Sequence, residues 1–376
     1  WCVVPASTLP VVMADRGGAL PLVRPVRANG GASFLTLLAR HIPMHPVKAK
    51  VATDAGVQQC AALLVFILNQ FYRPGPAVHL FINAPQGSGK TITGRRLKDA
   101  CDPDPAEVVT SLPADETMVF SIAQQQTMLV IDNVSTMRGN EADTFCSLAT
   151  GAAQQKRSLF TDDDRMTVAA RCSVVLGSIR EDLIQRPDLM DRTLVMDLPP
   201  LDPKNRRTEP ELDEAWANDK PHLLAAVLDT LSAALARLPA VQASTARDRL
   251  PRFADAALLA EAAAQSLGWA PGLCIDAIGQ MRRDAGDRQL VEHPYAFRVR
   301  ALLEAEGGSW TGTTEELRNK LRFLDGPDWG RTNNSAASFA AMRDRMAGPL
   351  RDAWGISTQR WRGSKGARNI NLSRQG

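Results

Sequence analysis

FINAPQGSGKTITGRR, residues 81–96, starts as an apolar run, halts at Pro85, turns through Gly87 and Gly89, then brings Lys90 and Thr91 into helical text ending in two arginines. An apolar strand that feeds a glycine-rich turn at the start of a helix is the arrangement in which backbone N–H groups wrap a phosphate chain. Within APQGSGKT (84–91), Gly87, Ser88 and Gly89 let the main chain approach the ligand, Lys90 reaches the β/γ-phosphates and the Thr91 hydroxyl sits on Mg²⁺. The first glycine of that pattern is replaced by Ala84, another small residue at the strand exit. The expected ligands are ATP and Mg²⁺.

Such a loop needs a carboxylate for the metal. TMLVIDNV (127–134) supplies Asp132 at the end of an apolar run, 42 positions after Lys90. An acid with no function would carry a heavy desolvation cost on a buried strand, whereas beside Mg²⁺ its charge is compensated. The next residue is Asn133, whose amide can orient a water but cannot take its proton. The general base is therefore left open between Asp132 and an acid such as Glu116.

Outward from the loop, five short apolar runs read as strands: 78–84, 107–112, 127–134, 172–179 and 193–198, with helical text between them. That alternation predicts an α/β core with a five-stranded parallel sheet over 78–200. Residues 1–50, rich in Pro and Gly, form an extended or linker region with a short helix near SFLTLLARHI, and 51–77 are a helical lead-in. From 201 to 290 the text is Ala/Leu-rich, with ELDEAWAND and HLLAAVLDTLSAALARL separated at Pro221, as in a small bundle of helices. Residues 291–376 read as three helices followed by two strands around GSKGAR, the pattern of a winged helix. Arg343 and Arg345 fall on its third helix; Arg360, Trp361, Arg362, Lys365 and Arg368 crowd its hairpin as candidate DNA contacts.

The 376 residues are 44% hydrophobic and 23% charged, a globular composition large enough for two or three packed units. The net charge of +3 is small for the whole chain, but 351–376 holds six basic residues against one acidic. The six cysteines are never closer than 26 residues, which excludes a zinc knuckle or CxxC pair and fits a reducing cytoplasm. The longest apolar run, 60–68, is about half the roughly 20 residues of a membrane span, so no membrane role is expected. The chain starts at Trp1 rather than methionine, which suggests a piece of something longer.

APQGSGKT, the IDN strand end, LATGAAQQKRSLFTDDDR, RPDLMDRTLVMDLPP and the helical text after it resemble the AAA+ replicative helicases of bacterial mobile elements. These are the MCM-like and superfamily 3-like enzymes of staphylococcal islands and cassette chromosomes, and the primase-polymerase-helicase fusions. The resemblance covers roughly residues 50–376. It implies an ATP-hydrolysing, ring-shaped homo-oligomer, a hexamer in that family, moving on single-stranded or forked DNA, with a primase or polymerase as attached domain or partner. A non-translocating ATPase switch that loads or regulates replication proteins is the alternative.

The same resemblance places Arg192 as the arginine finger toward a neighbouring copy, with Arg186 as competitor, and Arg252 as a second sensor unless it is an ordinary helix-start arginine. It places KRSLFTDDDRMTVAA (156–170) as a pore hairpin, where Lys156 and Arg157 would meet DNA. Two departures stand out: Asn133 replaces a glutamate, and Gly177 stands where relatives end the strand with asparagine, leaving Ser178 as a possible substitute.

Overall fold

The computed structural model describes all residues except 5–7, 9–19, 29–32, 106–107, 109–115, 152, 158–164, 181–182, 185, 203, 205, 327–328, 330–334, 363–367 and 375–376. The described chain forms two units, Trp1–Met281 and Arg282–Gly376.

In the first unit, short helix α1 (Phe34–Leu38) precedes α2 (Ala55–Phe71), which begins where Asp54 accepts the N–H groups of Gly56 and Val57. That cap satisfies two of the orphan donors of a helix start. The crowded apolar text of α2 has its physical cause in burial: Ala61 through Leu68 are all at most 2% exposed. The chain continues through β1 (His79–Asn83), α3 (Lys90–Cys101), α4 (Glu116–Gln125), β2 (Met128–Ile131) and α5 (Gly139–Thr150). A hairpin of β3 (Ala153–Arg157) and β4 (Arg165–Ala169) follows, then β5 (Ser173–Ser178), α6 (Pro187–Met190) and β6 (Thr193–Asp197). Beyond them come α7 (Glu209–Ser244), α8 (Ala254–Ser266) and the first part of α9 (Leu273–Glu292), whose residues from Arg282 on belong to the second unit.

Four strands build a parallel sheet in the order β2-β5-β1-β6. The fold is thus α/β with a parallel sheet whose strands are buried along their length, as expected when helices cover both faces. The expected strand at 107–112 lies outside the described residues except for Val108, so the sheet has four strands among the described residues.

The reading of the Ala/Leu-rich text at 201–290 is corrected in one respect. The two helices expected on either side of Pro221 are one 36-residue helix, α7, with Pro221 and Pro239 inside it. A proline usually ends a helix because it lacks an N–H, but here tertiary contacts hold the turns before Pro221, and Asp229 beyond it is held by Arg27. Arg96 of α3 pairs with Asp213 (2.6 Å), and Asp99 accepts from Trp216 Nε1 and Lys220 Nζ, each at 2.6 Å. By length and composition α7 is apolar enough to cross a membrane; its apolar side chains, Trp216, Leu223, Val227 and Val241 among them, lie in the core of the first unit.

The N-terminal region, which the sequence left without a role, lies along α7. Val26 donates its N–H to Pro221 O (3.0 Å), and Arg27 pairs with Asp229 (2.8 Å). His41, hydrogen-bonded to Asp219, meets the Trp216 ring edge-on.

The second unit contains α10 (Pro294–Ala305), β7 (Ser309–Thr313), α11 (Thr314–Arg322), α12 (Ala336–Trp354), β8 (Ile356–Arg362) and β9 (Arg368–Arg374). Its three strands form an antiparallel sheet in the order β7-β9-β8 around a core that includes Tyr295, Trp310, Leu317, Phe339 and Ile370. The three helices and the hairpin match the sequence expectation. Strand β7 was missed because SWTGT is polar and only Trp310 is buried.

Candidate nucleotide site

β1 is an inner strand, and the chain leaves its carboxyl end directly into the glycine loop. Gly87 and Gly89 have φ of 76° and 84°, the left-handed region where a side chain is strained. Gly89 also caps α3, and Pro43 lies 3.2 Å from where its Cβ would stand. Ser88 is buried, its hydroxyl donating to Pro85 O at 2.6 Å. Lys90 Nζ folds back onto the loop and donates to the carbonyls of Ala84 (2.7 Å) and Pro85 (2.8 Å). Burial lowers the Lys90 pKa, and the Asp132 charge opposes that shift.

Thr91 Oγ1 donates to Asp132 Oδ2, so residues 41 positions apart meet at the end of the sheet. Asp132 is 5% exposed, and its Oδ1 accepts the Asn133 N–H at 2.9 Å. Asn133 has φ of 56°, the sole non-glycine positive φ among the described residues. Its left-handed turn redirects the chain just after the acid.

The neighbouring strand explains Gly177. A Cβ there would stand 2.5 Å from Asp132 Oδ1. The position therefore makes room for the carboxylate, and the missing side chain is a steric requirement of Asp132 in this chain. Ser178, considered as a substitute contact, is 1% exposed; its hydroxyl donates to Val134 O (2.7 Å) and accepts from Arg180 N (3.0 Å). It holds the Asp132–Val134 turn against β5 and has no hydroxyl hydrogen to spare for a ligand. Glu116 is exposed in the first turn of α4.

Sequence reasoning missed three features. Asn83, the last residue of β1, donates from Nδ2 to Asp197 Oδ1 at 2.8 Å and so locks β1 to β6 beside the loop. An amide at the end of an apolar strand was the available signal. Arg95 and Arg96, quoted above beside the loop, turn away from it: Arg96 takes Asp213, and Arg95 lies 3.7 Å from Glu209 of α7. Lys98 is 1% exposed and donates to Asp102 (2.8 Å), Gln126 (3.1 Å) and Met128 O (2.7 Å), while Asp102 accepts the N–H groups of Thr127 and Met128. This knot joins the end of α3 to the start of β2, the two elements that present Thr91 and Asp132.

Arg192 is elsewhere. Its carbonyl accepts the His79 N–H, so it stands at the amino end of β1 and β6, about 13 Å along β1 from the loop end at the rise of an extended strand. The guanidinium contacts the Asp188 carbonyl and lies 3.9 Å from Cys146 Sγ. Arg186, its competitor, is held by two carboxylates, Asp188 and Asp143, each at 2.6 Å. Arg252 is exposed just before α8.

Of the candidate DNA contacts, Lys156 and Arg157 lie on β3, opposite Met166 and Arg165 of β4 in an antiparallel hairpin; its acidic tip lies outside the described residues. Arg345, Arg360, Trp361 and Arg362 are exposed. Arg343 is not. It is 6% exposed, its guanidinium bound to Asp344 (2.7 Å) and Thr314 (3.3 Å), and it serves the packing of α12 on α11. Asp344 also takes Arg360 at 2.9 Å. Arg368 begins β9, and Lys365 lies outside the described residues.

No curated protein matches the chain. Among solved structures it aligns with the NrS-1 C-terminal region (305–718) at a TM-score of 0.41 and 10% identity, covering 93% of this chain and 76% of that one. A second alignment, with JCV helicase bound to a thiazolopyridine-phenoxyphenyl acetamide, has a TM-score of 0.27 and 13% identity over 60% of this chain and 66% of that one. Likenesses at these scores carry no weight. The family model of the actinomycete integrative conjugative element replication protein matches residues 49–273, from the lead-in helix through the glycine loop and Asp132 to the start of α9. Spanning well over half of the 376 residues, that match makes the chain a member of this family of mobile-element replication proteins.

Proposed function

We propose that this replication protein is an ATP-driven DNA helicase or translocase of the AAA+ kind, acting as a ring-shaped homo-oligomer, a hexamer by resemblance. The observation that carries the reading is the meeting of Thr91 and Asp132 beside the glycine loop at the carboxyl end of a parallel sheet, where ligands of such sheets bind. The donor set fits Mg²⁺: two hard oxygens with one carboxylate suffice, because phosphate oxygens and waters complete its shell. When bound, Mg²⁺ would draw charge from the β- and γ-phosphate oxygens.

The protein groups divide the remaining work. Loop N–H groups cradle the phosphates. Lys90 has three donors on a flexible stem and exchanges the Ala84 and Pro85 carbonyls for phosphate oxygens by rotation. Asn133 orients a water, and the base that takes its proton is Asp132 or an acid such as Glu116. Arg192 of a neighbouring copy neutralises charge on the transferred phosphoryl group. Residues 291–376 act as a winged helix, with Arg345, Arg360 and Arg362 toward DNA phosphates; a primase or polymerase is the expected collaborator.

Purified chain is expected to turn over ATP with Mg²⁺, faster with DNA, and Lys90→Ala to lose about 10²-fold or more of that rate. A forked duplex should be unwound by the parent chain alone. DNA-stimulated turnover without unwinding would favour the loading or regulatory switch, the reading supported by the amide at Asn133. Absence of Mg²⁺-dependent nucleotide binding would overturn both.

A further inference from the structure

We propose that the outward face of the sheet β7-β9-β8 binds the bases of an unpaired DNA strand, with Trp361 as the stacking platform. The inference rests on the DNA-binding reading of residues 291–376 and assigns that unit a second surface.

Strand register defines the face. Trp310 pairs with Leu372, and Gly312 and Arg360 both pair with Ile370, so these positions share the core side of the sheet, where the exposed Arg360 reaches Asp344 of α12. The alternate positions point away. One outward row is serine throughout, Ser309, Ser373 and Ser357; the next runs Thr311, Asn371 and Gln359; the last runs Thr313, Asn369 and Trp361. Every one is exposed or half-buried, and Trp361 is 45% exposed.

The chemistry of this face differs from its surroundings. Residues 282–376 carry 17 basic and 11 acidic side chains in 95 positions, yet none falls in the three outward rows. A solvated sheet face with no partner ordinarily bears Lys, Glu or Arg to stay wet and to block edge pairing. A protein-docking face would carry several large apolar anchors, and only one ring is present. Amides and hydroxyls surrounding a single exposed indole suit base edges and a base plane. Asn371 donates from Nδ2 to Thr311 Oγ1 (2.8 Å), which orients its carbonyl oxygen as an acceptor.

Charge is set at the rim of this face. Arg362 follows Trp361 on β8 and is exposed, on the opposite side of the strand by the same alternation, so a cation for a phosphate lies one residue from the ring at the end of the sheet and not among the outward rows. Bases in a duplex are stacked inside and cannot reach a flat sheet, so the surface selects single strands.

The test measures affinity of the full chain, without nucleotide, for a labelled poly(dT) strand and for a blunt duplex of equal length. Trp361→Ala is expected to weaken strand binding about tenfold, within the range for one base stacked on one ring, and to lower the ratio of strand to duplex affinity. Trp361→Phe should retain most of the affinity, and Asn371→Ala should lower the ratio a few-fold. A 5-iodouracil-substituted strand should crosslink to the peptide bearing Trp361. Equal losses on strand and duplex, no loss, or crosslinks confined to α12 would overturn the proposal. Thermal unfolding of each variant separates a folding defect from lost contact. Because ATP is omitted, failure of the motor reading would leave a positive result intact, and failure here would leave ATP turnover unaffected.

Discussion

Two single residues show how side-chain room and burial act, one beside the loop and one at the far end of β1. At Gly177 a new Cβ would stand 2.5 Å from Asp132 Oδ1, and the carboxylate that has to yield is already holding Thr91 and Asn133. Gly177→Ala is expected to raise the Mg²⁺ concentration needed for ATP turnover about tenfold and to lower the melting temperature by several degrees, since overpacking by one methyl group costs roughly 1–3 kcal/mol. A Mg²⁺ titration of turnover checks this, and an unchanged midpoint would refute it. His79 is fully buried between strands, Nε2 donating to Phe145 O and Nδ1 accepting from Val174 N. Burial pushes its pKa down to about 4, opposed by the Phe145 hydrogen bond. The unfolded chain therefore binds the extra proton first. Stability from this residue is complete above the ordinary histidine value and is lost as pH falls from about 6.5 toward 4, by about 3 kcal/mol in all. Urea unfolding of parent and His79→Gln at pH 7 and pH 5 should show the acid loss reduced in the variant.

Elements present these residues, and the joint between α3 and β2 sets their spacing. Burial raises the Asp102 carboxyl, but the Lys98 charge and the N–H groups of Met128 and Thr127 hold it below the usual range. Removing Lys98 leaves that anion without its cation, a loss of about 3–5 kcal/mol for a buried pair. Lys98→Met is thus expected to unfold well before the parent chain in urea, and Lys98→Met with Asp102→Asn to recover part of the loss. Full additivity of the two changes would show that they do not act as a pair. Helix α7 is positioned in the same manner, by Asp213 on Arg96 and by Asp99 on Trp216 and Lys220, which holds the turns that lead into Pro221.

For the whole molecule, the separation of Arg192 from its own loop by the length of β1 has a consequence for assembly. If its guanidinium serves phosphate, it serves another copy's. Lys90→Ala and Arg192→Ala are each expected to be inactive alone, and their mixture to regain part of the ATP turnover, because mixed neighbours rebuild some complete sites. Turnover per chain should also fall on dilution. A mixture as inactive as its components would argue against a shared site.

Much of this was legible from the chain alone. The glycine loop, the strand ending in Asp132, the lead-in helix and the three helices and hairpin of the second unit are local patterns of periodicity, turn residues and caps. Those depend on backbone conformation within a few residues, so neighbouring letters suffice to write them. Tertiary structure alone decided which charges are spent on packing: Arg95 and Arg96 look like free cations in the sequence and meet carboxylates of the distant α7, while Arg343 and Lys98, paired with the nearby Asp344 and Asp102, are buried by the packing of their helices. It also decided that Gly177 is empty because Asp132 fills its place. Exposure, ion pairing and steric room are properties of distant elements brought together, and strand order sets them where local spacing cannot.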